Sequence, residues 1–175
     1  PIIQGKNVIT LGAGNVAMDS ARTALRLGAE KSRIVYRRSR DEVPARGAEV
    51  HHAEEEGIEF FLLTNPTKYL GDDKGRLTGM QCLKMELGEP DDSGRRRPEP
   101  VPDSESTLAV ELVIEALGQR PIDGIEQLLP GVDLDKAGRV MVTDAMQTTR
   151  PGVWSGGDAV NGGATAVQAI REGML

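Results

Sequence analysis

The strongest constraint on this chain is a six-residue turn, Gly12-Ala13-Gly14-Asn15-Val16-Ala17, set between an apolar run and a helical pattern. The run, Asn7-Val8-Ile9-Thr10-Leu11, is nearly continuous in apolar and β-branched residues. That composition suits a strand of a parallel sheet covered on both faces. Residues 14–27 read as a helix, with Ala17, Ala21 and Ala24 spaced to let it lie close to a sheet and Gly28 to stop it. The turn fits G-x-G-x-x-A. The first glycine permits a tight bend, the second clears space where backbone meets a pyrophosphate, and the third position must be small for helix and strand to pack. Free N–H groups at the helix start add a partial positive charge. Gly12, Gly14, Asn15, Val16 and Ala17 are therefore candidates for holding a dinucleotide pyrophosphate. A merely structural strand–helix turn is the weaker alternative.

The next strand selects the dinucleotide. Arg33-Ile34-Val35-Tyr36-Arg37-Arg38 is apolar and then abruptly basic. A carboxylate at its end, ~20 residues past the glycines, would bind the ribose 2′-hydroxyl of NAD. Arg37, Arg38 and Arg40 stand there instead. Guanidinium groups grip a 2′-phosphate that a carboxylate repels, so NADP(H) is expected over NAD(H), through Arg37 and Arg38. A helix over residues 45–57 and a strand over 58–63 complete a β-α-β-α-β order, half of a doubly wound nucleotide-binding fold.

After Thr64 the pattern changes. Residues 67–70, 77–87 and 108–117 alternate like antiparallel strands, with Gly71-Asp72-Asp73-Lys74-Gly75 as a hairpin turn. Residues 89–106 read as an exposed, mobile hairpin tip rich in proline and arginine. Arg95, Arg96 and Arg97 there fit a solvated loop better than a docking patch. From Gly118 a second region begins, with a helical turn at 125–129, short strands at 138–142 and 152–155, and a helix from Ala164 running to the end.

Composition narrows the function classes. A net charge of −6 argues against non-specific binding to nucleic acid or anionic membrane. No apolar stretch is long enough for a spanning helix. Glycine, 21 of 175 residues, is enriched and aromatics make up only 3%, which suits nucleotide-binding turns better than an aromatic-lined sugar site. Cys82, the one cysteine, excludes an internal disulfide and points to a reducing, cytoplasmic setting. Pro1 in place of Met leads to the expectation of a processed chain or a piece of something longer.

The segment Thr148-Thr149-Arg150-Pro151-Gly152-Val153-Trp154-Ser155-Gly156-Gly157-Asp158 resembles the second motif of flavoproteins with two dinucleotide-binding domains. Val113-Ile114-Glu115-Ala116-Leu117-Gly118-Gln119-Arg120-Pro121 resembles their linking motif. With Gly12 to Asp19, Tyr36-Arg37-Arg38, Ala53-Glu54-Glu55-Glu56-Gly57 and Gly156 to Gly173, the chain resembles the small (beta) subunit family of NADPH-dependent glutamate synthase. Relatives of that family include dihydropyrimidine dehydrogenase and the ferredoxin–NADP transhydrogenases. The resemblance implies an α/β fold: a Rossmann-like NADPH-binding domain over residues 1–117, carrying an antiparallel β insertion, and the C-terminal part of an FAD-binding domain over 118–175. It further implies that Gly118, Gly157, Asp158, Thr165 and Ala166 face FAD, with Asp158 at the ribityl chain. Hydride would pass from NADPH to FAD, and electrons onward to iron–sulfur clusters or a partner subunit. The family's iron–sulfur domain and first FAD segment find no counterpart here, so the FAD site is expected to be incomplete.

No side chain is a candidate acid, base or metal ligand. His51 and His52, adjacent on a helix, diverge too far to share a metal, and residues 54–56 read as a solvated acidic face. Cys82 reads as a small core residue. Arg46 is a candidate for a further phosphate contact. A thioredoxin-reductase-like enzyme needs a Cys-x-x-Cys pair that this chain lacks. A nucleotide-binding regulatory or docking module without catalysis stays open beside the oxidoreductase.

Overall fold

The computed structural model describes residues 3–90, 94–119 and 121–175. Pro1, Arg120 of the linking motif and residues 91–93 of the expected hairpin tip lie outside them. The chain divides into two compact units, Pro1–Leu117 and Gly118–Leu175.

The first unit is built on a parallel sheet of order β3-β2-β1-β8. Its strands are β1 (Asn7–Leu11), β2 (Lys31–Val35), β3 (Glu59–Phe61) and β8 (Leu112–Glu115). β1 is central, and Val8, Ile9, Thr10 and Leu11 are all buried, as a strand covered on both faces requires. Helices α1 (Asn15–Arg26) and α2 (Gly47–Glu55) cover one face. Met18 and Ala21 of α1 meet Ile34 and Tyr36 from the sheet side and Val50 and Ala53 of α2 in one cluster. The Ser32 hydroxyl donates to Ala21 O at 2.9 Å, which clamps β2 to the helix.

The opposite face is covered by strands instead of helices. β4 (Thr64–Gly71), β5 (Leu77–Pro90) and β6 (Arg96–Pro100) form an antiparallel sheet in that order, with β7 (Ser106–Ala109) also paired to β5. Met80 and Cys82 of β5 pack with Val110 onto Ile9, Leu11 and Val35. Cys82 is thus a core residue, and burial pushes its thiol pKa up.

Two expectations need correction. Residues 108–117 are not one antiparallel strand. β7 pairs antiparallel with β5, and after Val110–Glu111 the chain joins β1 in parallel as β8. Alternation reports which face is buried, not which neighbour supplies the ladder. Residues 89–106 are not simply a mobile tip: β5 continues to Pro90 and returns as β6, with Pro90 opposite Arg96. Pro98 and Pro100 are tolerated because β6 lies at the sheet edge. Glu54 and Glu55 stand on an exposed face, as expected, and the acidic residues around α2 also carry ion pairs. Glu49 and Glu56 bind Arg22 of α1 at 2.8 and 2.9 Å, and Glu54 binds Arg40 at 2.7 Å.

The second unit has little regular structure among its described residues. Its helices are α3 (Ile125–Leu128), α4 (Asp158–Asn161) and α5 (Ala166–Gly173). The strands expected at 138–142 and 152–155 are isolated bridges only: Leu134 to Val140, Val142 to Thr148 and Gln147 to Trp154. Polar stitches take the place of ladders. Asp135 Oδ1 accepts from Ala137 N and Arg139 N at 2.8 and 2.9 Å, and the Thr148 hydroxyl donates to Val153 O at 3.0 Å. α5 starts at Ala166, two residues later than expected.

Candidate functional site

The glycine turn leaves β1 and enters α1 at the end of the sheet where β1 and β8 both finish. In an open parallel sheet that crevice is where ligands collect. The two glycines are needed for different reasons. Gly12 has φ +111°, and a Cβ there would lie 2.4 Å from Ala116 O. Gly14 has φ −79° and would meet nothing within 4 Å. Gly12 is fixed by the protein's own backbone, whereas Gly14 borders open space. Ala17 is fully buried against the sheet, as its small size anticipated.

No side chain caps α1 at Gly14, and no acidic residue stands in its first turn. The N–H groups of that turn lack intrahelical partners and remain available to an anion. Asn15 turns its side chain elsewhere: Oδ1 accepts from Arg46 N at 3.0 Å. Ala45 N donates to Ala13 O at 3.2 Å. Together these bonds hold the 43–46 segment beside the turn, and Val16 stands exposed.

Beyond β2 the basic residues are not equivalent. Arg37 is exposed. Arg38 is buried, and its Nε donates to Arg96 O at 2.9 Å. Arg40 is committed to Glu54 and lies over the Phe60 ring, 5.4 Å from its centroid. Tyr36 donates from its hydroxyl to Glu42 O at 2.7 Å. The Glu42 carboxylate accepts from the Ser39 hydroxyl and from Arg96 Nε at 2.9 Å. Those contacts, the Ser39 hydroxyl first, hold the Glu42 carboxyl below the usual range.

The Glu42–Arg96 pair was not visible to sequence reasoning, because 54 residues separate its members and only the return of β6 brings them together. The same holds for Tyr69 and Glu115, whose side chains meet at 2.5 Å between β4 and β8. Desolvation, and then that hydrogen bond, push the Tyr69 hydroxyl up to about 12.

In the second unit Gly157 has φ +65° and precedes α4, which starts at Asp158. Asp158, Thr165, Ala166 and Gly118 are exposed. Thr165 caps α5 by accepting from Gln168 N at 3.2 Å. Glu172 Oε2 accepts from Gly157 N at 2.5 Å. The described residues thus bring Gly157 and Asp158 to the start of one short helix, but the Gly157 amide is already engaged. A G-x-G-x-x-A turn of the kind at Gly12–Ala17 is not repeated among the described residues of this unit.

Residues 2–173 match the family described as pyridine nucleotide-disulphide oxidoreductase. The chain is 47% identical over 174 residues to the beta subunit of NADP(+)-dependent formate dehydrogenase from Moorella thermoacetica, covering 99% of this chain and 24% of that protein. It is 38% identical over 175 residues to the small chain of glutamate synthase [NADPH] from Escherichia coli K12, covering 98% and 37%. The chain therefore spans between a quarter and two fifths of these relatives' lengths. Among solved structures it is similar to thioredoxin reductase from T. acidophilum, with a TM-score of 0.76 at 22% identity over 97% of this chain and 50% of that one. That likeness shows the fold, which is the one found in flavoproteins with two dinucleotide-binding domains.

Proposed function

The chain belongs to the pyridine nucleotide-disulphide oxidoreductase family, and on that footing we propose that it is the NADPH-binding part of an FAD-dependent oxidoreductase of the glutamate synthase small-subunit kind. Gly12, Gly14, Asn15, Val16 and Ala17 hold the pyrophosphate in this reading. Arg37 grips the 2′-phosphate from the open side, and Arg38, anchored by one edge to Arg96 O, forms the floor. Arg46 lies at the turn's rim and adds a phosphate contact.

The open space at Gly14 above an uncapped helix start is the observation that carries the reading. Bound NADPH supplies a hydride, and the protein contributes placement and electrostatics rather than an acid or base. FAD is held at Gly118, Gly157, Asp158, Thr165 and Ala166 together with residues beyond this chain. Electrons continue to iron–sulfur clusters or a partner subunit, in the cytoplasm. The single, buried cysteine supports a reducing setting, and among the described residues no helix is long and apolar enough to cross a membrane.

Titration of the intact protein with NADPH and NADH tests the coenzyme. Tight NADPH binding, weak NADH binding and bleaching of a yellow flavin spectrum are expected. Equal affinity for both coenzymes overturns the 2′-phosphate assignment. A second reading, a nucleotide-binding module without catalysis, is favoured by the engagement of the Gly157 amide by Glu172. Under that reading NADPH binds and no flavin is bleached.

A further inference from the structure

We propose that Arg96, on the returning strand of the arginine-rich hairpin, is a positioning residue that sets the preference for a 2′-phosphorylated coenzyme by masking the Glu42 carboxylate. The proposal rests on the NADPH reading above and assigns a role to a hairpin that the glycine turn and the Arg37-Arg38 pair leave unused.

Glu42 closes a short 3-10 turn, Arg40–Glu42, in the loop that follows Arg37 and Arg38. Its side chain is only 8% exposed. A carboxylate in this part of the fold is what suits a free ribose 2′-hydroxyl, and it repels a phosphate. Partial burial strengthens that repulsion, because the carboxylate is less screened than at an open surface. Arg40, the nearest cation in sequence, is spent on Glu54. The neutralising guanidinium comes instead from the hairpin, with Arg96 Nε 2.9 Å from Glu42 Oε1.

The same residue fastens the hairpin to the loop. Arg96 O accepts from Arg38 Nε at 2.9 Å, so Arg38 is oriented from the hairpin side while Tyr36 holds the Glu42 carbonyl. Arg96 thereby cancels the part-buried negative charge of Glu42 and fixes one edge of the buried arginine. An ordinary surface ion pair contributes little and would not discriminate between adenine nucleotides. Discrimination is the property to measure.

In the intact protein, affinities for adenosine 2′,5′-bisphosphate and for ADP separate the 2′-phosphate from the rest of the nucleotide. Arg96→Ala should weaken the bisphosphate about ten-fold and leave ADP within about two-fold. Adding Glu42→Gln to Arg96→Ala should recover most of the loss, because the charge to be masked is gone. Arg96→Lys, which keeps a cation without the Nε donor, should lose less than Arg96→Ala. Equal weakening of both nucleotides, no weakening, equal losses for Lys and Ala, or no rescue by Glu42→Gln would each overturn the proposal. Failure of the underlying reading has its own signature: Arg37→Ala would then leave the preference for the bisphosphate unchanged, whatever Arg96 does.

Discussion

The two units differ in what holds them. In Pro1–Leu117 the parallel sheet is sealed on both faces, by Met18, Ala21, Val50 and Ala53 on one side and by Met80, Cys82 and Val110 on the other. In Gly118–Leu175 the described large apolar side chains stand mostly in the open: Ile122, Leu128, Met141, Trp154, Val167 and Ile170 are all exposed, and Val140 is the buried exception. Hydrogen bonds from Asp135, Thr148 and Glu172 shape the second unit, whereas hydrophobic burial shapes the first. Apolar burial contributes far more per residue than a solvated hydrogen bond. Stability should therefore reside in the first unit, and the second offers a surface suited to being covered.

The largest expected effect is at Gly12. Gly12→Val must place a Cβ against Ala116 O at positive φ, and should cost about 3 kcal/mol or more in chemical denaturation. Gly14→Val should leave the unfolding midpoint nearly unchanged and abolish NADPH binding, since only open space receives its side chain. If both substitutions fail in the same way, the division of labour between the glycines is wrong.

Next comes the contrast between units. Met80→Ala empties a fully buried position and should cost about 2–5 kcal/mol. Ile170→Ala, on an exposed face of α5, should change stability by less than about 0.5 kcal/mol. Comparable losses would remove the distinction drawn between the units.

Thr10 refines it. Its hydroxyl is the one buried side-chain polar atom without a hydrogen-bond partner among the described residues. Thr10→Val keeps the shape and should stabilise by about 1 kcal/mol, read as a raised Tm.

The smallest effect is on pH. The Arg26 and Arg22 guanidiniums hold the Glu56 carboxyl below its ordinary range. A carboxyl depressed in the folded state adds stability above its unfolded pKa and loses it as pH falls through the folded one. Glu56→Gln should therefore lower the first unit's stability slightly at neutral pH and converge on the unsubstituted protein as pH falls, which flattens the acid limb of its stability curve.

Local chemistry made much of the first unit legible. β1, the glycine turn and α1 follow from the pattern on either side of Gly14, and β2, one partner of β1, is near in sequence. Residues 108–117 misled because a period of two is common to parallel and antiparallel pairing. Arg37 and Arg38 were recognised as a pair, yet their unequal burial depends on β6, some 60 residues on. In the second unit, Gly152-Val153-Trp154-Ser155 carries strand composition, but only an isolated bridge forms at Trp154. Propensity without a paired neighbour and a covered face does not make a sheet.

β5 is fourteen residues long, far longer than its duties in the core demand. Its first half is wedged under the parallel strands through Met80 and Cys82, while its far end pairs at Pro90 with Arg96 of β6, the residue that reaches Glu42. It acts as a cantilever. Length added or trimmed beyond Met85 should therefore move the overhang without loosening the root.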